Sequence, residues 1–481
     1  MTATSGHDAG PAHDSRDLPG GLPDGPLGLP WPRTAVRRAD GSVAVGGVGL
    51  PELAAAQGTP LYVVDERDMR ERAAALRDAM TTAFAEHGAE VELFYAGKAF
   101  LCRAVARWMS QEGLGIDTAS LGELTTALSA GVDAARVGLH GNNKSDEELE
   151  LALTAGDTGI GRVVLDSLVE VDRVADVAAG LGVRARVMLR VTTGVHAGGH
   201  EYISTGHEDQ KFGLSVHPAR PGEDSPALTA LLAILARPEL DLLGLHSHIG
   251  SQILDPAGFD AAAREVLRVR AELAERTGVL VPEVDLGGGF GVAYLPGEVE
   301  LDPERIAKET AAAVVEAAAE TGTAVPRVSF EPGRSIAGPA GLTLYTVGTV
   351  KPVRLPEGSE LAERLYVSID GGMGDNIRPA LYGAAYHAEL VGRTSGAPPV
   401  RARVVGKHCE SGDIVVHDVD LPADVHAGDL LAVAVTGAYG RSMASTYNLL
   451  PRPGVVAVRD GEVTPLVRRE SVADLLALDL G

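Results

Sequence analysis

The sequence predicts an α/β protein: a (β/α)8 barrel of the TIM type, then an all-β domain of Greek-key character that an N-terminal segment completes. Three observations predict it. Short apolar runs alternate with amphipathic helical stretches through the middle of the chain. Eight such runs can be read, the number that closes a parallel barrel. After Gly333 the helical stretches stop, and β-like runs divided by Gly, Pro and Asp turns take over.

Residues 1–32 are rich in Gly, Pro, Asp and His without an apolar stretch, so they read as a disordered tail with no signal peptide. His7 and His13 lie in this tail as solvated side chains; no metal site is expected anywhere in the chain. Residues 33–65 hold two β segments, Gly41–Leu50 and Pro60–Asp65. They have no partner before the barrel begins, so both are assigned to the second domain. The barrel spans 66–340. A helix over Glu66–Glu86, with Met69, Ala73, Leu76 and Met80 on one side, precedes its first strand.

The eight runs are Glu92–Gly97, Gly115–Ser120, Arg136–Gly141, Arg162–Ser167, Arg184–Val191, Leu240–Gly250, Pro282–Gly289 and Arg327–Gly333. Helical spacing marks Ala99–Glu112, Leu121–Ala130, Asp146–Ala155, Leu168–Ala179, Ala257–Arg276 and Pro303–Glu320. Residues 341–481 form the β domain. Its runs are Leu342–Val353, Glu363–Asp370, Tyr386–Val391, Val400–His408, Asp413–Asp420, Leu430–Thr436 and Val455–Val463, with a last helix at Ser471–Leu478.

The totals exclude several classes. A net charge of −24 argues against non-specific binding to nucleic acid or to anionic membranes. No apolar run is long enough to span a bilayer. Two cysteines, Cys102 and Cys409, make no disulfide framework and suit a reducing cytoplasm.

In a barrel of this kind chemistry gathers at the C-terminal ends of the strands. Strand one ends in Lys98, alone among apolar neighbours. A lysine there either carries its charge out to solvent or, desolvated, becomes a nucleophile toward an aldehyde. Strand two ends in Asp117-Thr-Ala-Ser120, with Glu123 one turn on, and strand three in His140-Gly-Asn-Asn-Lys144. Strand six ends in His246-Ser-His248-Ile-Gly-Ser251, strand seven in Gly287-Gly288-Gly289, strand eight in Glu331-Pro-Gly-Arg334. The glycine triplet is either a tight turn or a cradle of N–H groups for an anion, with Arg334 as a charge partner. Glu331 can hold a ring nitrogen protonated, and His248 offers a flat ring for stacking. Singly each has an ordinary structural reading. Together, at one rim, they match the needs of pyridoxal 5'-phosphate: an amine, a phosphate cradle, a carboxylate and a stacking ring.

Eight motifs then stand in order: Y-A-G-K-A at 95–99, H-G-N-N-K-S at 140–145, E-D-Q-K-F-G at 208–213, H-S-H-I-G-S-Q at 246–252, D-L-G-G-G at 285–289, E-P-G-R at 331–334, C-E-S-G-D at 409–413 and G-A-Y at 437–439. With them the chain resembles the diaminopimelate decarboxylase family, within the alanine-racemase-like pyridoxal phosphate enzymes. The likeness covers nearly everything beyond the tail, and C-E-S-G-D is its most specific part. It departs at Gly440, where many relatives carry Cys, and at Leu121, where Gly is frequent.

The resemblance implies that Lys98 carries the cofactor, that Ser251, Gly288, Gly289 and Tyr439 bind its phosphate, that His248 stacks on its ring and that Glu331 pairs with its nitrogen. It implies that Arg334, Arg378, Tyr382 and Tyr439 bind substrate. Cys409, as proton donor, and Glu410 would reach in from the partner of a homodimer. The implied reaction is decarboxylation of meso-2,6-diaminopimelate to L-lysine and carbon dioxide, which ends lysine biosynthesis.

Three rivals share parts of this pattern. A decarboxylase for ornithine or arginine has the same barrel, but its substrate offers no distal carboxylate for Arg378. A racemase wants a second base opposite Lys98, and the sequence offers no clear candidate. A non-enzymatic pyridoxal phosphate carrier has no use for the C-E-S-G-D domain.

Overall fold

The computed structural model describes residues 25–195 and 210–481. Expectations about residues 1–24, His7 and His13 among them, and about Glu208 and Asp209 lie outside the described residues.

Eight parallel strands close a barrel: Val91–Ala96, Gly115–Thr118, Val137–Leu139, Arg162–Leu165, Ala185–Thr192, Leu240–Ser247, Glu283–Asp285 and Arg327–Phe330. Each pairs with the next, and the eighth returns to the first, Val328 beside Val91 and Phe330 beside Leu93. Every strand lies within one residue of a run read from the sequence. The junctions repeat a local device. Ser120, Ser145 and Ser167 each accept a hydrogen bond from the backbone N–H three residues on. Glu123, Glu148 and Glu170 in turn accept from the backbone N–H of Ala119, Ser145 and Asp166. Such a cap is worth about 1 kcal/mol and starts the helix at a fixed residue, so the strand ends stay at one rim.

Two helices differ from the expectation. The stretch Ala99–Glu112 is helical only over Arg103–Gln111. The carbonyl oxygens a longer helix would need are taken elsewhere: Tyr439 N–H and Ser442 Oγ donate to Ala99 O, and Tyr95 Oη to Phe100 O. Residues 97–102 therefore form a loop, and Lys98 rides on it. The helix Pro226–Leu235 was not read at all. It buries Ala227, Leu228, Ala230, Leu231 and Ile234, and a helix with little polar surface shows little polar period.

The second domain is a β domain completed from the N-terminal side. Leu61–Asp65 lies between Gly341–Arg354, antiparallel to it, and Gly454–Arg459, parallel to it. The barrel is thus inserted between two neighbouring strands of one sheet. The N-terminal and C-terminal segments differ from the expectation in detail. Gly41–Leu50 packs into the β-domain core through Val43, Val45 and Leu50, but Val43–Val45 and Val48–Gly49 lie in a separate four-stranded sheet with Gly25–Pro26 and Val36–Arg37. Leu50 opens a helix, Leu50–Gln57, with Pro51 in its first turn. Residues 25–32, read as tail, are structured here, with Trp31 only 3% exposed against the β-domain core. The run Val455–Val463 is two strands, because Asp460-Gly461 turns the chain at positive φ into a hairpin.

Candidate active site

The mouth of the barrel gathers the polar strand ends. Lys98 is exposed there. His248 is half-buried, and its Nδ1 accepts from Gly288 N–H at 3.4 Å. Burial, with the Lys98 charge nearby, pushes the His248 imidazole down to about 3, so it stands as a neutral flat ring. Beside it Arg190, Gln210, Lys211, Phe212, Ile249 and Gly250 line a cavity of about 300 Å³.

The glycine cradle is required by the backbone. Gly287 and Gly289 have φ of 69° and 106°. A Cβ on Gly288 would meet Glu331 O at 2.1 Å, and one on Gly289 would meet Gly250 O at 2.5 Å. Arg334 donates to Ser251 Oγ at 2.8 Å, which brings the guanidinium, the serine and the cradle strands together.

On the barrel's inner side lies a buried ionic cluster. Glu331 Oε1 is 3.1 Å from His140 Nε2 and 3.1 Å from His246 Nε2. His140 Nε2 also lies 3.4 Å from Asp117 Oδ1. Among the described residues none of these four atoms has an aligned hydrogen bond. Below them Arg162 pairs with Asp285 at 3.0 Å and approaches Asp117 at 3.9 Å, its guanidinium lying 3.6 Å over the Phe94 ring. Burial raises Asp117, with Glu331 adding to it, to about 6. Burial also opposes charge on His140, but Glu331 and Asp117 overcome it and push the imidazole up to about 9. Burial holds His246 down. Against its own burial, Glu331 is held well below the carboxylate range by the two imidazoles.

A second group sits where the β domain meets the barrel. Arg378, on the short helix Arg378–Tyr382, is buried and donates to Tyr294 Oη at 2.9 Å and to Tyr386 Oη. Arg334 donates to the same Tyr294 hydroxyl. The Tyr439 ring faces both cations, its centroid 4.9 Å from the Arg334 guanidinium and 5.9 Å from that of Arg378. Tyr439 is fixed at positive φ by its N–H bond to Ala99 O, one residue from Lys98.

Lys98, His248, Ser251, Gly288, Gly289, Glu331, Arg334, Arg378 and Tyr439 therefore come together. Tyr382, on the same turn as Arg378, is 64% exposed. Cys409 and Glu410 are exposed on a β-domain loop, and among the described residues neither forms a hydrogen bond or ion pair with the barrel. Tyr294, Tyr386, Asp117, His140 and His246 take part in the site's contacts without having been assigned a role from sequence. His140 and His246 open two of the quoted motifs, and Tyr294 follows the glycine triplet by five residues; those were the available signals.

Residues 68–338 match the family model described as "Pyridoxal-dependent decarboxylase, pyridoxal binding domain". The diaminopimelate decarboxylase of Mycobacterium tuberculosis is 48% identical over 94% of this chain and 97% of its own. That of Bacillus subtilis is 42% identical over 93% of this chain and 97% of its own. The chain belongs to the diaminopimelate decarboxylase family. A solved structure of the M. jannaschii enzyme in complex with L-lysine superposes with a TM-score of 0.82 at 31% identity, covering 94% of this chain and 98% of that one.

The features a pyridoxal phosphate site of this family needs are on hand. A neutral imidazole lies beside the mouth, a buried carboxylate oxygen lacks an aligned hydrogen bond, and the cradle closes only with glycine. Among the described residues no helix is long and apolar enough to cross a membrane.

Proposed function

We propose that this chain decarboxylates meso-2,6-diaminopimelate to L-lysine and carbon dioxide with pyridoxal 5'-phosphate, as the last step of lysine biosynthesis. The observation that carries the choice of substrate is Arg378. It is buried, and among the described residues its guanidinium hydrogen-bonds two phenols and pairs with no carboxylate. A buried cation without an anion is costly, and a substrate carboxylate supplies one.

Lys98 holds the cofactor, and Ser251, Gly288, Gly289, Arg334 and Tyr439 surround its phosphate. The His248 ring would stack on the cofactor ring, and Glu331 would pair with its nitrogen. Bound in this way, the cofactor supplies an acceptor for the electron pair left at Cα when carbon dioxide departs. Arg378 and Tyr294, with Arg334 and Tyr382, hold the distal end of the substrate, where a second carboxylate distinguishes it from lysine and ornithine. A site built for that charge rejects analogues without it, because its own cation would stay unpaired. Cys409 Sγ gives a proton to Cα, on the face its loop presents. Cys409 and Glu410 are exposed in one chain, which suits a homodimer whose partner completes each site. The enzyme works in the cytoplasm and uses no resident metal.

Carbon dioxide release measured with meso-diaminopimelate, L-lysine, L-ornithine and L-arginine tests this reading. Release from the first alone is expected. Faster release from ornithine or arginine would assign the chain to the rival activity, and no release from any would leave only a cofactor carrier.

A further inference from the structure

Two buried carboxylates converge on a single imidazole nitrogen, and this arrangement is not needed merely to place Glu331. We propose that His140 stands as an imidazolium between Asp117 and Glu331, locks Glu331 as a carboxylate, and so keeps the cofactor's pyridine nitrogen protonated. This rests on the reading that Glu331 faces that nitrogen.

The geometry sets the charge. His140 Nε2 lies 3.1 Å from Glu331 Oε1 and 3.4 Å from Asp117 Oδ1, all three side chains being buried or nearly so. Among the described residues Asp117 has no aligned hydrogen bond on either oxygen. Like charges this close cannot both persist in a buried site without a cation between them. Among the described residues, the one other cation that approaches Asp117 is Arg162, 3.9 Å away and already paired with Asp285 at 3.0 Å.

His246 also meets Glu331 Oε1 at 3.1 Å, so either imidazole could hold the proton. The rings are 5.1 Å apart, and two imidazoliums at that distance repel. Within 4 Å His140 meets two carboxylates and His246 one, Asp285 acting on His246 from farther off, which selects His140. Burial together with these partners moves His140 up and His246 down, in accord. Arg190 acts on Glu331 from farther off and is offset by Asp166 at 4.0 Å, so that pair adds no net charge, and Lys98 and Glu123 stand farther out at the rim. Asp117, Asp285 and Glu331 then face Arg162 and His140, with one negative charge left over. A pyridinium neutralises it.

Without the His140 charge, Asp117 and Glu331 would share a proton. A protonated Glu331 donates to the pyridine nitrogen instead of accepting from it, and the neutral ring draws electrons from Cα less strongly. His140 is therefore a positioning residue that acts through Glu331.

The test uses holoenzyme loaded with pyridoxal phosphate carrying 15N in the ring. In the wild type the 15N resonance should sit at the protonated position and stay there from pH 6.5 to 8.5. His140→Gln keeps an N–H donor near the same place but no charge. Its resonance should move toward the unprotonated position, and kcat should fall roughly 10–1,000-fold with KM changed less than about threefold. A resonance that stays at the protonated position in His140→Gln overturns the proposal. An unprotonated ring in the wild type overturns the Glu331 reading instead. Neutron diffraction of the wild-type holoenzyme needs no variant: deuterium on both His140 nitrogens is expected, and deuterium on one alone refutes the imidazolium.

Discussion

Arg378 donates to the Tyr294 hydroxyl at 2.9 Å, and so joins a β-domain helix to the loop that follows the glycine cradle of the barrel. Tyr294 accepts from Arg334 as well, so one phenol spaces two cations that would otherwise repel. Tyr294→Phe should raise KM for meso-diaminopimelate roughly 10–100-fold, the scale of a lost hydrogen bond to a charged group. Cofactor absorbance should stay normal. Steady-state kinetics on the same sample checks both, and an unchanged KM would remove Tyr294 from substrate binding.

Lys98 is the lysine that stands at the end of strand one, on a loop held by Tyr439 and Ser442. Borohydride treatment of the yellow holoenzyme should therefore fix pyridoxal on Lys98. A peptide map that finds the label on Lys144 or Lys211 would move the cofactor.

Cys409 is exposed and Lys98 is on the other domain. Lys98→Ala and Cys409→Ala should each lose essentially all activity. Mixed under conditions of subunit exchange, they should recover up to about a quarter of the wild-type rate, because a heterodimer regains one complete site. Recovery to nothing, with exchange demonstrated, would place Cys409 outside a shared site.

His387 lies outside the site and edge-on to Trp31, ring centroids 6.1 Å apart. Burial alone pushes it down to about 4. Between about pH 6.5 and 4 the unfolded chain binds a proton that the folded chain refuses, so stability falls as pH falls. His387→Gln should lose less stability across that window than the wild type, by roughly 2–3 kcal/mol at pH 4. Urea unfolding at pH 7 and pH 4 measures it. Equal losses in both proteins would mean that the His387 ring opens to water.

Much of this architecture could be read from the chain before any coordinates. The barrel strands were legible because a strand buried on both faces leaves an uninterrupted apolar run, and the caps Ser120, Ser145 and Ser167 punctuate them. The site residues on strand ends were legible for the same reason: Lys98 and Glu331 are polar where apolar residues are expected. Tyr294 and Tyr386 were not, because a tyrosine in an apolar context reads as core. The H-G-N-N-K-S motif marks His140 but gives it no role, since only the fold places it between carboxylates from strands two and eight. The Arg103 start of the third helix depended on carbonyl oxygens claimed by Tyr439 and Tyr95, contacts that sequence spacing does not carry.

The central claim is that Arg378 awaits a carboxylate of the substrate. Arg378→Lys keeps the charge but not the planar fork that holds a carboxylate with two parallel hydrogen bonds. Measured as kcat/KM for meso-diaminopimelate, with the cofactor spectrum recorded on the same sample, the account predicts a roughly 10–1,000-fold loss and an unaltered spectrum. An unchanged kcat/KM would contradict it.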